Sequence, residues 1–164
     1  SKLVPNLRNQ PTEWKSCDTL YFEVDKPVIA KKLIGLIPEK GTLINNIFYH
    51  TSLKTEATAK HELLSVTVVE DHSLSENALI ERVTSELKTY CGIESPLFIK
   101  HYAIPLALPK LTGLQYEMQP SETRLTSTVF LSGDTQLNGS LNAAMISGER
   151  AALGVIEAIS GVIS

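Results

Sequence analysis

The sequence is short of most features that announce a function. Its 164 residues hold two cysteines, Cys17 and Cys91, neither in a Cys-x-x-Cys pair. Two such residues define no disulfide framework, and a reducing, cytoplasmic compartment is the simpler expectation. No apolar run approaches the roughly 20 residues that a bilayer-spanning helix needs. The first residues lack the basic-then-apolar pattern of a signal peptide. Formal net charge is -3, with acidic and basic residues mixed along the chain, so nucleic acid is not an expected partner. The basic pair Lys31-Lys32 is too short to tether the chain to an anionic membrane. The chain opens on Ser1 rather than Met, and is expected to be a piece of a longer one.

Catalytic signatures are equally scarce. There is no Gly-x-Ser-x-Gly elbow, which leaves a serine hydrolase unsupported. The four histidines, His50, His61, His72 and His101, are scattered, and His61-Glu62 lacks the second histidine of a zinc helix, so no metal is expected. Glu56, Glu62, Glu70 and Asp71 show no acid–base pairing. Neither cysteine has a neighbour that would lower its pKa. Aromatic residues near 21–22 and 48–49 read first as core. Internal repeats and low-complexity tracts are absent.

What is present is a run of short β-type segments followed by helical ones. Residues 1–13 read as an irregular lead-in around Pro5, Asn6, Asn9 and Pro11. Apolar and β-branched residues then gather in Ser16–Val24, Lys32–Ile37, Leu43–His50 and Glu62–Val69, separated by turn signals. Four strands so closely spaced predict an antiparallel meander, because parallel crossovers need longer connections. Over Ser75–Tyr90 the period changes: Leu79, Ile80, Val83 and Leu87 share one helical face. Ser75 suits the N-cap, and Gly92 the C-terminal cap. Leu97–Ala107 reads as a further strand that Pro105 and Pro109 bring to an end. A polar connector over 109–127 leads to a short apolar strand, Val129-Phe130-Leu131, a Gly-, Asp- and Asn-rich turn over Ser132–Gly139, and a helix from Ser140 to about Ile159 rich in small residues.

The stretch from Val129 to Ala152 carries the chemistry. An apolar strand runs into Gly133-Asp134, and a helix starts near Gly139-Ser140. The unpaired N–H groups and dipole at a helix start favour an anionic or electron-rich group. A carboxylate at Asp134 can accept hydrogen bonds from a polyol, and Gly139 allows a close backbone approach. Read on spacing alone, Gly-Asp and Asn-Gly serve equally as plain turn residues and Ser140 as an ordinary N-cap. Asn138-Gly139-Ser140 also spells a glycosylation sequon, read here as coincidence.

This stretch resembles the C-terminal flavin motif of the protoporphyrinogen oxidase, phytoene desaturase and monoamine oxidase group, the flavin amine oxidase superfamily. The matching residues are Phe130-Leu131-Ser132-Gly133-Asp134, then Gly139-Ser140-Leu141-Asn142-Ala143-Ala144-Met145-Ile146-Ser147-Gly148, then Ala151-Ala152. Upstream, Trp14 with Leu20-Tyr21-Phe22, Ile44-Asn45-Asn46, Leu64-Ser65-Val66-Thr67 and Ala103-Ile104-Pro105 are similar to the family's substrate domain.

The resemblance implies an FAD-dependent oxidoreductase transferring a hydride from a small-molecule substrate to flavin, with oxygen or a quinone as the onward acceptor. Asp134 would meet the ribityl chain, Gly133 would permit the close turn, Gly139 would let the cofactor approach the backbone, and the backbone N–H groups near Ser140 and Leu141 would face the N1–C2=O edge of the isoalloxazine. There the helix dipole would stabilise the negative charge of the reduced ring. His101-Tyr102 would lie on a strand bordering the substrate cavity.

Two family features have no counterpart. The sequence contains no Gly-x-Gly-x-x-Gly turn for the ADP half of FAD. No Lys maps onto the lysine that some amine oxidases place beside the flavin. The chain by itself is therefore expected to carry an incomplete FAD site and to bind the cofactor weakly or not at all. The alternative is a non-catalytic binding or assembly module that keeps the fold without the cofactor.

The expected fold is α+β: an antiparallel sheet with one packed helix over 14–108, a connector over 109–127, and a strand, loop and helix of an FAD-binding domain over 128–164. The exposed apolar faces of that last segment are expected to pack onto the sheet domain or to form a dimer.

Overall fold

The computed structural model describes residues 13–53 and 60–161. Of the lead-in expected over 1–13, residues 1–12 lie outside the described residues, as does Glu56, and Glu13 opens the first strand. The fold is α+β, with five strands and two long helices in the order β1 (Glu13–Val24), β2 (Gly35–Leu36), β3 (Ile44–Tyr49), β4 (Glu62–Val68), α1 (Glu76–Cys91), β5 (Leu97–Lys110) and α2 (Leu141–Ser160). The chain divides into two compact units, residues 16–107 and the segments flanking them.

In the first unit the sheet order is β2-β3-β4-β1-β5. This corrects the expected meander. β2, β3 and β4 follow one another, but β1 pairs with β4, with Leu20 opposite Val66 and Phe22 opposite Leu64. The connection after β1 spans residues 25–34, which is long enough to carry the chain to the far edge instead of into a hairpin. Alternation decides the faces. Leu20, Phe22, Val24, Leu64, Val66 and Val68 point to one side, where Leu79, Val83 and Leu87 of α1 meet them, all nearly inaccessible to solvent. Each such side chain contributes about 1.5–3 kcal/mol by leaving water.

α1 begins where the sequence places it. The Ser75 hydroxyl accepts the Ala78 N–H, and Gly92 closes the helix in the left-handed region at φ 68°. The helix also carries a buried carboxylate. Glu86 accepts the N–H groups of Leu43 and Ile44 at 2.9–3.1 Å and the Nε–H of Arg82 at 2.7 Å, while Arg82 donates to the Gly41 carbonyl. One ion pair thus fastens the β2–β3 turn to the helix.

β5 corrects a second expectation: it runs through Pro105 to Lys110. It is the outer strand beside β1. A proline lacks only an N–H, and on an edge strand that group can face away from the ladder. β5 also changes its alternation. Phe98 packs on the core against Phe22, and His101, three residues on, reaches Asp18 on the same face. Inward residues three apart mark one extra residue in the strand, a β-bulge. β3 bears the same mark at Ile44 and Ile47, both buried, where its pairing with β4 shifts register.

In the second unit, the short strand expected at Val129–Leu131 is not one. Phe130 forms a single antiparallel bridge with Arg124, and the main chain is held by Leu125 N–H to Val129 O and Leu131 N–H to Thr123 O. Three apolar residues with no neighbouring strand of their own unit satisfy their backbone locally instead. α2 lies close to the single helical turn Pro120–Thr123: a Cβ at Gly154 would stand 2.7 Å from the Pro120 carbonyl oxygen. Met118, Leu137, Ala143 and Ile146 form this unit's small core.

Candidate functional site

The Gly133-Asp134 turn is built from α2 backwards. Gly133 adopts φ 130°, ψ 169°, a region open to glycine alone. Ser147, fully buried in the second turn of α2, holds it there. Its hydroxyl accepts the Gly133 N–H at 2.8 Å and sits 2.9 Å from the Gly133 carbonyl and 3.0 Å from that of Ala144, to which it donates. Ser147 belongs to the quoted motif, but its part as the anchor of the turn could not be read from spacing. Asp134 then opens a short 3-10 turn closed by the Leu137 N–H on the Asp134 carbonyl. Leu137 is buried, and its own carbonyl accepts the Gln115 N–H.

The start of α2 is equally defined. Ser140 accepts the Ala143 N–H and donates to Asn138 Oδ1 at 2.6 Å. Asn138 in turn donates its Nδ2 to the Gln115 carbonyl. The sequon asparagine is therefore occupied as part of the loop's internal bonding. The side of Gly139 on which a Cβ would stand faces Pro109 and Leu108 at 3.4–3.5 Å, so the chain itself fills the space there.

Two kinds of polar group remain unspent. The N–H groups of Leu141 and Asn142 occupy the first turn of a 20-residue helix, where no intrahelical acceptor exists, and both residues are exposed. Asp134 makes no side-chain hydrogen bond or ion pair among the described residues. A free carboxylate that can accept from hydroxyls, and free N–H groups backed by a helix dipole that can donate, match what a polyol chain and an electron-rich carbonyl edge offer. The chemistry of this acceptor and these donors is compatible with the ribityl and pyrimidine portions of a flavin. Further along α2, Arg150 has a buried Nε with no partner among the described residues.

The structure separates the other two candidate residues. The His101 side chain is 12% exposed, and both its ring nitrogens meet carboxylates: Nε2 lies 2.6 Å from Asp18 Oδ1, and Nδ1 3.3 Å from Glu76 Oε1. Tyr102 points to the opposite face of the sheet and is half exposed. There it meets Tyr21 edge-on, ring centroids 5.9 Å apart. Tyr21 is followed across the face by His50 at 5.7 Å and then Phe48 at 5.1 Å. Tyr21 and Phe48 both lie opposite Ser65, whose hydroxyl is 2.9 Å from His50 Nε2. This aromatic row is the main feature that sequence reasoning missed. Its signal was the alternation itself: 21, 48 and 65 fall out of phase with the apolar core residues of their strands.

The thiols are not nucleophiles in waiting. Burial, then the charge of Asp18, pushes Cys17 up from the ordinary thiol range, and burial, then Glu86, does the same for Cys91. A shallow pocket of about 320 Å³ is lined by residues 37–45 with Val69 and Glu70, and it contains none of the groups above. Among the described residues no set of His, Cys, Asp and Glu side chains could hold a metal ion, and no helix is long and apolar enough to cross a membrane.

No curated protein sequence matches the chain significantly. Among solved structures it is similar to an oxidoreductase from Methanosarcina mazei, with a TM-score of 0.64, 14% identity, and coverage of 87% of this chain and 35% of that one. A candidate protoporphyrinogen oxidase from Exiguobacterium gives 0.58 at 12% identity, covering 92% and 36%. A Pyrococcus furiosus protein gives 0.51 at 16%, covering 92% and 32%. These likenesses concern the fold, and the chain spans about a third of the length of each of these structures. The model of the flavin containing amine oxidoreductases matches residues 2–156, nearly the whole sequence, and the chain belongs to that family.

Proposed function

We propose that this chain supplies the flavin-edge and substrate portions of an FAD-dependent oxidoreductase that takes a hydride from a small organic substrate. The observation that carries this reading is the Gly133-Asp134 turn, locked to α2 by Ser147, with its carboxylate and the first N–H groups of α2 unspent. In this reading residues 128–164 form the flavin-binding segment, 14–108 the substrate-type sheet and 109–127 the connector. Asp134 accepts hydrogen bonds from the ribityl hydroxyls. Gly133, Gly139 and Ser140 set the path of the loop, and the N–H groups of Leu141 and Asn142 face the pyrimidine edge. A bound flavin supplies the hydride acceptor, and oxygen or a quinone the onward sink. The residues of this chain fix its orientation and place a helix N-terminus where negative charge develops.

The substrate face is the open side of the sheet. Tyr102, Tyr21, Phe48 and His50 offer ring faces and edges within 6 Å of one another, with Ser65 as a hydroxyl between them. Such a row suits a flat or unsaturated molecule better than an anionic one. Of the two neighbours on β5, Tyr102 is the contact residue. His101 is committed to Asp18 and Glu76.

The test is a flavin titration followed by visible absorbance and fluorescence quenching, on the chain as it stands and on any longer product of its gene. Binding by the longer product, weakened at least tenfold by Asp134→Ala, supports the reading. A longer product that ignores FAD sinks it and leaves a binding module that shares only the fold.

A further inference from the structure

Both ring nitrogens of His101 face carboxylate oxygens, Asp18 Oδ1 at 2.6 Å and Glu76 Oε1 at 3.3 Å. An ionised carboxylate only accepts hydrogen bonds, and a neutral imidazole carries one N–H. With one proton, His101 would set a lone pair against an oxygen on one of its two sides. With two protons, both contacts are hydrogen bonds. His72 meets the other oxygen of Asp18 through Nε2 at 3.1 Å, while its Nδ1 is buried and without a partner among the described residues. A second proton on His72 would bury an unpartnered N–H on a cation, which costs more than a buried lone pair. The positive charge of the cluster therefore belongs on His101, and His72 is the neutral Nε2–H tautomer.

The geometry points to His101 as a charged positioning residue: an imidazolium that clasps β1 through Asp18 and the first turn of α1 through Glu76, and so holds the bulged part of β5 in the register that sets Tyr102 on the open face. The bulge is what makes the clasp necessary. Without the extra residue between Phe98 and His101, residue 102 would fall on the α1 side with Phe98. With it, His101 takes the inward place and Tyr102 turns outward to Tyr21. The groups facing His101 come from each element around it: Asp18 on β1, Glu76 on α1, and His72 through the carboxylate they share. Glu76 also lies in the first turn of α1. The clasp stands on its own geometry, and only the use of Tyr102 rests on the substrate-face reading.

The experiment is imidazole proton–nitrogen correlation spectroscopy of the whole chain, ¹⁵N-labelled at histidine, at neutral pH. Resonances are assigned with His101→Gln and His72→Gln. The expected spectrum shows both nitrogens of His101 protonated and His72 with a proton on Nε2 alone. Glu76→Gln is expected to return His101 to a single neutral tautomer with little change in the unfolding midpoint, because Glu76 is largely exposed. His101→Gln is expected to lose most of the Tyr21–Tyr102 ring-to-ring Overhauser intensity while the core contact of Phe22 with Phe98 persists. A neutral His101 in the unaltered chain overturns the clasp, as does an imidazolium unaffected by Glu76→Gln. An intact Tyr21–Tyr102 contact in His101→Gln overturns the positioning role. Should a variant fail to fold, the unaltered chain's spectrum still decides the charge state. The flavin titration fails or succeeds independently of all three results.

Discussion

Replacing Gly154 with Ala tests how closely α2 approaches the Pro120–Thr123 turn. In an isolated helix the change would stabilise by about 0.8–1 kcal/mol, because glycine loses more backbone freedom on ordering. Here the new Cβ would lie 2.7 Å from the Pro120 carbonyl oxygen and 3.1 Å from both a Phe130 ring carbon and Thr123 Oγ1. The carbonyl is backbone and already accepts the Thr123 hydroxyl at 2.7 Å, so it has little freedom to retreat. Relief requires the helix or the turn to move by roughly half an ångström, and forced overpacking of this kind costs about 1–3 kcal/mol. The net expectation is a loss of about 1–2 kcal/mol. Gly148, on the same helix, has nothing within 4 Å of its would-be Cβ. There Ala should realise the propensity gain alone, up to about 1 kcal/mol. One substitution type on one helix is thus expected to give opposite signs. Urea denaturation followed by the helical circular dichroism signal reads both, with midpoints displaced in opposite directions. Equal shifts for the two variants, or a Gly154→Ala chain as stable as its parent, would refute the argument from close approach.

Two further outcomes follow from the first unit. Glu86→Ala leaves the Leu43 and Ile44 N–H groups without their acceptor, while the half-exposed Arg82 can turn to water; at about 1–3 kcal/mol for each unmet group the change is expected to cost roughly 2–5 kcal/mol by urea denaturation. In alkali, the raised ionisations of Cys91 and of Tyr49, both chiefly from burial, set the direction of the pH response. The unfolded chain releases these protons first, so the stability they contribute is complete below the ordinary thiol value of about 8.5 and falls as pH rises through the folded values. Unfolding midpoints that stay flat from neutral pH to about 10, or an unchanged slope after Cys91→Ala, would contradict this.

Local signals in the sequence proved readable wherever the deciding contacts were local. Ser75 and Gly92 cap α1 because caps depend on a few consecutive residues, and Ser140 caps α2 for the same reason. Strand order was not legible: whether β1 joins β2 or β4 depends on the path of residues 25–34, which carries no pairing code. The prolines of β5 misled because a proline ends a strand only where its N–H is needed, and a sequence does not say which strand is outermost. Val129–Leu131 looks like a strand by composition, yet strand structure requires a partner. The flavin motif was recognisable as a pattern, while the anchor that shapes it, Ser147 on Gly133, spans 14 residues. The ionic cluster lay furthest from view, since Asp18 and His101 stand 83 residues apart and a one-residue slip in β5 brings them together.

That slip bears on how distant relatives are compared. At 12–16% identity, alignment of a strand leans on its alternation, and a relative with one residue fewer between the positions of Phe98 and His101 would keep its fold while exchanging every later side chain between the two faces. A gapless alignment would then set an inward ionic residue against an outward aromatic one and record divergence where only the frame had moved. In this strand, correspondence is better assigned by which face a residue occupies than by its place in the count.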